Sequence, residues 1–456
     1  MDEILQHTMT AALTGRVIET VGNTAAVANF PAPVGAVVEV ERASGGPTEG
    51  EVIGFRENLT LVFLFTGITG VRHGNRVCLT RTARSLRVGP NLLGRVVDAH
   101  GNPIDGRPRP MLIDRSRLDR TPPLPTERPP IDTPLCTGIR AVDTMLSCGR
   151  GQRLGIFSGS GVGKSVLLGM MCKQSEADVI VIGLVGERGR EVNEFLDREL
   201  GREGLARAVV VVATSNEPAL RRTQAAFTAT AIAEYFRDQG KNVLLLFDSI
   251  TRFAMAQREI GLAAGEPPTT RGYPPSVFSA LPKLLERAGR GPTGSITACY
   301  SVLVEGDDPA EPVADAVRGL LDGHICLSRR LAARGHYPAI DVLESVSRLM
   351  TQVATPAQLE ATRTIRKLLV AYRDNEDLLS IGAYRHGTNR EVDVAVEMRN
   401  SIDELLQQHI AEAVSLEEAR SQLVALARTC DQKLASPPTP IVAPDNAPMD
   451  QQTKAA

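Results

Sequence analysis

Ser158-Gly159-Ser160-Gly161-Val162-Gly163-Lys164-Ser165 follows the apolar stretch 154–157 and precedes Val166-Leu167-Leu168. Strand, glycine-rich turn and helix start, in that order, make a cradle for a nucleoside triphosphate. Glycines let successive backbone N–H groups point inward around phosphate oxygens, and the positive end of the helix dipole adds to the attraction. Gly159, Ser160, Gly161, Val162, Gly163 and Val166 then surround the nucleotide. Lys164 reaches its β/γ-phosphates, and the Ser165 hydroxyl ligates Mg²⁺. The strict pattern has glycine where this chain has Ser158, but Gly163-Lys164-Ser165 is intact and serine is small. A glycine turn that merely caps a helix is the bland alternative, and the flanking strand and helix count against it.

Three further segments carry candidate chemistry. The run 243–247 is an apolar strand that ends in Asp248, where a phosphate-loop fold needs a carboxylate to hold the water shell of Mg²⁺. Gly186-Glu187-Arg188-Gly189-Arg190-Glu191 follows the apolar stretch 179–185. Read alone, the segment is a solvated charged loop; beside the phosphate loop and Asp248, Glu187 at that strand end reads as the carboxylate that polarises an attacking water. The segment from Tyr337 to Arg348 ends in an arginine, which is either a charge-neutralising group for a neighbouring subunit's site or an ordinary salt-bridge partner.

Around these segments the 456 residues are enough for two or three domains. Short β-rich segments separated by turn signals predict a small β-barrel over 14–106. Crowded prolines make 107–135 an extended strap, neither helix nor strand. Strands alternating with helical patterns over 136–352 predict a mostly parallel sheet with helices on both faces. Helical spacing returns over 355–375 and 398–434, with Leu359, Ile365, Leu368, Leu369 and Tyr372, then Ile402, Leu405, Leu406 and Ile410, in a helical domain spanning 353–435. The tail 436–456 lacks periodicity and reads as disordered. In the N-terminal segment 1–13, Leu5, Met9 and Leu13 fit either a short amphipathic helix or a frayed terminus.

Composition narrows the function. Fifty-one basic against 53 acidic residues give no global preference for nucleic acid or an anionic membrane. No apolar run has the length of a transmembrane segment, and the acidic start lacks the layout of a signal peptide. Seven scattered cysteines without a CxxC pair read as thiols in a reducing compartment, so a soluble cytoplasmic protein is expected.

Several blocks in one order resemble the export ATPases of flagellar and type III secretion systems, within the rotary ATPase catalytic-subunit superfamily. They are Leu92-Leu93-Gly94-Arg95-Val96-Val97-Asp98, the phosphate loop, Gly186-Glu187-Arg188, Asp248-Ser249-Ile250-Thr251-Arg252-Phe253-Ala254, Gly265-Glu266-Pro267-Pro268, Gly272-Tyr273-Pro274-Pro275-Ser276-Val277-Phe278 and 337–348. The resemblance covers about 14–430. It implies an α/β fold with an N-terminal small β-barrel, a central RecA-like P-loop ATPase domain and a C-terminal helical domain. It makes Glu187 the catalytic glutamate, Arg188 a γ-phosphate contact, Tyr337 the aromatic packed on adenine, and Arg348 the trans-acting arginine of a homohexamer. A half-buried core tyrosine is the other reading of 337. The 261–275 loop would face a ring pore holding a coiled-coil stalk protein.

Further implied partners are a stator-like peripheral regulator, the export gate and chaperone–substrate complexes, with ATP and Mg²⁺ as cofactors. The expected place is the inner face of the membrane. Within the superfamily a rotary synthase catalytic subunit is the alternative, and non-flagellar type III secretion is the alternative branch. Val162 and Pro274-Pro275 favour the flagellar one. A ring-forming RNA translocase would need stacking aromatics, but residues 1–100 have no Trp or Tyr, and Phe30, Phe55, Phe63 and Phe65 lie largely in apolar strands. A non-catalytic nucleotide-binding subunit would carry glutamine in place of Glu187.

Overall fold

The computed structural model describes residues 13–304 and 311–436. Leu5, Met9 and the tail beyond 436 lie outside the described residues. Contacts divide the chain into two units, one running to 354 and including 407–416, the other comprising 355–406 and the part after 416.

Six antiparallel strands close a barrel in the order Thr14–Val21, Thr24–Ala28, Leu59–Leu64, Thr48–Arg56, Val37–Val40, Arg76–Arg81. Val17, Val27, Val38, Val62, Leu64 and Val77 fill it and are fully buried, as inward positions of a small barrel must be. Gly50 permits a close strand approach, because a Cβ there would sit 2.8 Å from the Phe63 carbonyl oxygen. Phe63 and Phe65 leave the barrel core and cluster with Ala219, Leu220, Ala256 and Ile260, joining the barrel to the next layer.

The barrel ends at Arg81, short of the expected 106. Ser85–Val88 pairs instead with Asp114–Arg117, and Arg95–Val97 pairs in parallel with Ala208–Thr214 in the large sheet. All three residues of Arg95–Val97 are buried. Burial on both faces suits a parallel sheet and not the alternating wall of a small barrel. The strap is corrected too. It contains the strand Asp114–Arg117 and the 3-10 turn Pro125–Glu127. Residues 111–121 contain no proline, so their N–H groups can enter a ladder.

The large sheet runs Ile340–Ser347, Gly323–Leu327, Arg153–Ser158, Ser295–Leu303, Asn242–Asp248, Val179–Glu187, Ala208–Thr214, Arg95–Val97. Every pairing along that path is parallel except the first, in which Ile340–Ser347 runs antiparallel to Gly323–Leu327. Parallel strands covered on both sides need continuous apolar runs, and 179–185 and 208–213 are buried throughout. The helix Ala219–Asp238 crosses one face through Ala225, Ala226, Ala229 and Ala233, whose small side chains allow close helix–sheet contact.

The second unit holds the helices Pro356–Ser380, Arg390–Glu397, Arg399–Leu406 and Leu416–Ala435. Thr355 caps the first by accepting from the Gln358 N–H, and Pro356 occupies the first helical position. The helical expectation for 398–434 breaks at 407–415. The Gln408 N–H donates to the Tyr337 carbonyl, 3.0 Å away, instead of continuing the helix. Ile402, Leu405 and Leu406 are buried as expected, whereas Ile410 is half exposed.

Arg287 and Glu234 are each 1% exposed and pair through Nε–Oε1 at 2.9 Å and Nη2–Oε2 at 2.5 Å. Arg287 Nη1 also donates to the Leu118 carbonyl at 2.6 Å. Removing one member strands a buried charge. Glu234→Ala should therefore destabilise the protein by about 3–5 kcal/mol in urea unfolding.

Candidate active site

The phosphate loop joins the strand Arg153–Ser158 to the helix Lys164–Gln174. Gly161 and Gly163 adopt φ of 77° and 94°, the left-handed region that glycine enters without strain. Gly163 is the helix N-cap, and among the described residues no side chain caps this end. The first-turn N–H groups are thus left for an external acceptor, which the helix dipole makes an anion. Ser160, Gly161 and Ser165 are exposed, while Val162 packs inward at 2% exposure.

Lys164 turns its Nζ to 2.5 Å from Asp248 Oδ1 and 3.9 Å from Glu187 Oε1. Asp248 ends the strand Asn242–Asp248 and Glu187 ends its parallel neighbour Val179–Glu187. Ser301, in the adjoining strand Ser295–Leu303, donates its hydroxyl to Asp248 Oδ1 at 2.6 Å. Glu187 Oε1 is buried and makes no hydrogen bond to a described residue. Burial, and next the Asp248 charge, push the Glu187 carboxyl up to about 7, against the opposing pull of Lys164. One ammonium therefore faces two carboxylates in a partly desolvated pocket.

The other sequence candidates fall in separate places. Tyr337 is 48% exposed, and its ring lies against the loop, with Cε1 3.6 Å from where a Cβ on Gly163 would stand. The Arg188 guanidinium is 73% exposed and pairs with Glu191 at 3.4 Å, away from the Lys164 cluster's ion pairs. Arg348 is at the other end of the sheet. Its N–H donates to the Asp322 carbonyl, and the Asp322 N–H donates to the Arg153 carbonyl at the start of the phosphate-loop strand. The loop begins five residues further along, about 16 Å away at roughly 3.3 Å per residue. Arg348 is therefore remote from the phosphate loop of its own chain. The 261–275 loop is folded on itself: Glu266 accepts from the Ser276 N–H at 3.1 Å, and the Thr269 hydroxyl donates to the Tyr273 carbonyl at 2.6 Å.

Three residues at the site were given no role by the sequence reading, Arg252 standing only within the block 248–254. Ser301 had no distinguishing signal, since Ser295, Thr297 and Tyr300 carry hydroxyls in the same strand. Arg252 packs behind the cluster, its Cβ 2.7 Å from a Cβ built on Gly186. Arg329 lays its guanidinium on the loop, with Nη2 2.5 Å from a Cβ built on Gly159. No spacing in the sequence announces either arginine.

A glycine cradle with a lysine, backed by carboxylates at the ends of parallel strands, defines a P-loop ATPase. Residues 138–347 match the ATP synthase alpha/beta family nucleotide-binding domain, and residues 354–425 match the T3SS EscN ATPase C-terminal domain. The chain is 49% identical over 412 residues to the flagellum-specific ATP synthase of Bacillus subtilis, covering 90% of this chain and 93% of that one. The solved structure of the assembled ATPase EscN from the enteropathogenic E. coli type III secretion system superposes with a TM-score of 0.86 at 46% identity, covering 91% of this chain and all of that one. EscN in complex with its central stalk EscO matches with a TM-score of 0.84 at 45% identity, with the same coverage. The chain belongs to the family of flagellum-specific and type III secretion ATPases.

The raised Glu187 carboxyl has a consequence for stability. Below about pH 4.5 it is protonated both folded and unfolded; between 4.5 and 7 only the unfolded chain ionises, so stability falls as pH rises; above 7 the loss is complete. Glu187→Gln lacks this penalty. Thermal melts without nucleotide should show the variant's advantage over wild type growing from pH 4.5 to 7 and then levelling off.

Proposed function

We propose that this chain is a Mg-ATP hydrolase that energises protein export through a flagellar-type secretion apparatus. The carrying observation is the Lys164–Asp248–Glu187 cluster beneath an uncapped helix N-terminus. Loop amides and the Lys164 ammonium bind the β/γ-phosphates and take up charge that develops as the γ-phosphoryl is transferred. Glu187, already disposed to hold a proton near neutrality, orients the attacking water and accepts its proton. Tyr337, a flat face beside Gly163, packs on the adenine. Arg188 contacts the γ-phosphate after leaving Glu191, which its exposure permits.

The residues present fit Mg²⁺. Asp248 already holds a cation, the Lys164 ammonium, and is oriented by Ser301, while Ser165 is exposed on the first helical turn. Among the described residues no cluster of three or more His, Cys, Asp or Glu could hold a metal alone. That suits an ion carried largely by substrate phosphates. Ser165 would ligate it directly and Asp248 through water, and it would neutralise phosphate charge.

Arg348 acts on a neighbouring chain's nucleotide. Support comes from its place at the far end of the sheet and from the assembled state of EscN. The active unit is then a homohexamer. EscN is seen with a central stalk, which supports a coiled-coil stalk protein in the pore beside the 261–275 loop. The peripheral stator-like regulator, the export gate and chaperone–substrate complexes complete the partners. No described helix is long and apolar enough to cross a membrane, so attachment to its inner face would be peripheral.

Hydrolysis per chain, measured across a wide range of protein concentration, tests this reading. Specific activity should climb cooperatively with concentration and fall at least about 10³-fold in Arg348→Ala. Loss of nucleotide binding is expected for Lys164→Ala. Glu187→Gln should bind nucleotide normally and turn over about 10²–10⁴-fold more slowly. Concentration-independent activity untouched by Arg348→Ala would remove the shared-site mechanism.

A further inference from the structure

A cavity of about 770 Å³ lies between the barrel and the outer edge of the large sheet. The edge strand Arg95–Val97 stands five strand spacings from the phosphate-loop strand, about 24 Å at roughly 4.8 Å each. The cavity is therefore separate from the nucleotide cradle, and a ligand held there is independent of the proposed hydrolysis.

Five arginines line it: Arg81 from the end of the barrel, Arg84 from the turn after it, Arg87 from Ser85–Val88, Arg109 from the strap, and Arg221 from Ala219–Asp238. Glu49 and Asp98 are the carboxylates in the wall. Three of the five cations are matched. Arg84 pairs with the half-buried Glu51 and donates to Gln224 at 2.6 Å; Arg221 lies 3.5 Å from Glu217, and Arg81 3.8 Å from Glu49. The Asp98 carboxylate is occupied, accepting from the N–H groups of His100 at 2.9 Å and Asn102 at 2.8 Å. Burial, together with the Arg84 and Arg221 charges, outweighs Asp98 and holds the His100 imidazole below its ordinary pKa, so it supplies no further charge at neutral pH.

Arg87 and Arg109 remain. Both are exposed at the cavity, and neither forms an ion pair with a described residue; Arg109 makes only a 3.3 Å bond to the Asn102 amide oxygen. Guanidinium forks present their donors in the plane that phosphate oxygens match. The same wall has an apolar side formed by Leu86, Leu112 and Leu118. A volume within the usual range for small-molecule sites is far more than a bare phosphate fills.

We propose that this cavity binds a small organic phosphate, with its phosphate against Arg87 and Arg109 and its carbon part against Leu86, Leu112 and Leu118. Phenyl phosphate is a suitable probe. Calorimetric titration would use the full chain with the ATP cradle already filled by Mg²⁺ and a non-hydrolysable ATP analogue. One saturable site per chain is expected, weakened at least tenfold in the double variant Arg87→Gln/Arg109→Gln. Inorganic phosphate should bind several-fold more weakly than the probe. Both replaced side chains are exposed, so the melting temperature without probe should be unchanged, which separates loss of the site from loss of the fold. Absence of saturable heat, or equal affinity in the double variant, overturns the site. Equal affinity for inorganic and phenyl phosphate overturns the organic class of ligand.

Discussion

Parallel strands place their carboxyl ends on one edge, and a ligand site in such a sheet gathers there. Arg153–Ser158, Ser295–Leu303, Asn242–Asp248 and Val179–Glu187 are consecutive neighbours, so residues at or just after their ends converge although they lie far apart in sequence. Lys164 meets Asp248 and Glu187 because of this order and direction together. With the ammonium between them, two carboxylates can stand in one desolvated pocket; without it their mutual repulsion and burial would drive protons onto them. Glu187 shows that the balance is incomplete, since its carboxyl is lifted to about 7 even with Lys164 present. A group in that state lies close to the protonation equilibrium that proton transfer near neutrality requires.

One strand breaks the common direction, and its reversal matters. Ile340–Ser347 runs antiparallel at the sheet edge, entered just after Tyr337 and left just before Arg348. Tyr337 therefore stands against the phosphate loop, while Arg348 emerges about 16 Å away, beside the start of the phosphate-loop strand. A single stiff element links the face beside the phosphate loop to the face turned away from it. That separation is what the proposed role of Arg348 at a neighbouring chain's site rests on. The 407–416 segment braces the near end, with Gln408 donating to the carbonyl oxygens of Tyr337 and Gly138.

Features encoded by local chemistry were legible in the sequence. The phosphate loop depends on glycines that tolerate positive φ, on a lysine and on flanking apolar runs, all of which sit within a few residues of one another. The central strands at 154–157, 179–185 and 243–247 were legible for the same reason, because burial on both faces demands unbroken apolar runs. Gly323–Leu327 and Ile340–Ser347, whose burial is interrupted, were missed. Boundaries set by distant pairing were not. Arg95–Val97 resembles another short barrel strand, and only its partner Ala208–Thr214 assigns it to the large sheet. Ile410 keeps helical spacing with Leu406, yet tertiary hydrogen bonds at Gln408 end the helix before it.

The sequence by itself determined the class of chemistry and the order of the domains, since a nucleotide cradle and an apolar strand are written in contiguous residues. Tertiary structure alone decided which charges meet. Asp248 closes on Lys164 and is steadied by Ser301, Arg329 lies on Gly159, Arg188 stays with Glu191, and Arg87 and Arg109 are left without a carboxylate among the described residues. The physical reason is range. Backbone preference and hydrophobic periodicity act over a few residues, whereas a charge pair forms wherever strand order and direction bring two side chains within about 4 Å.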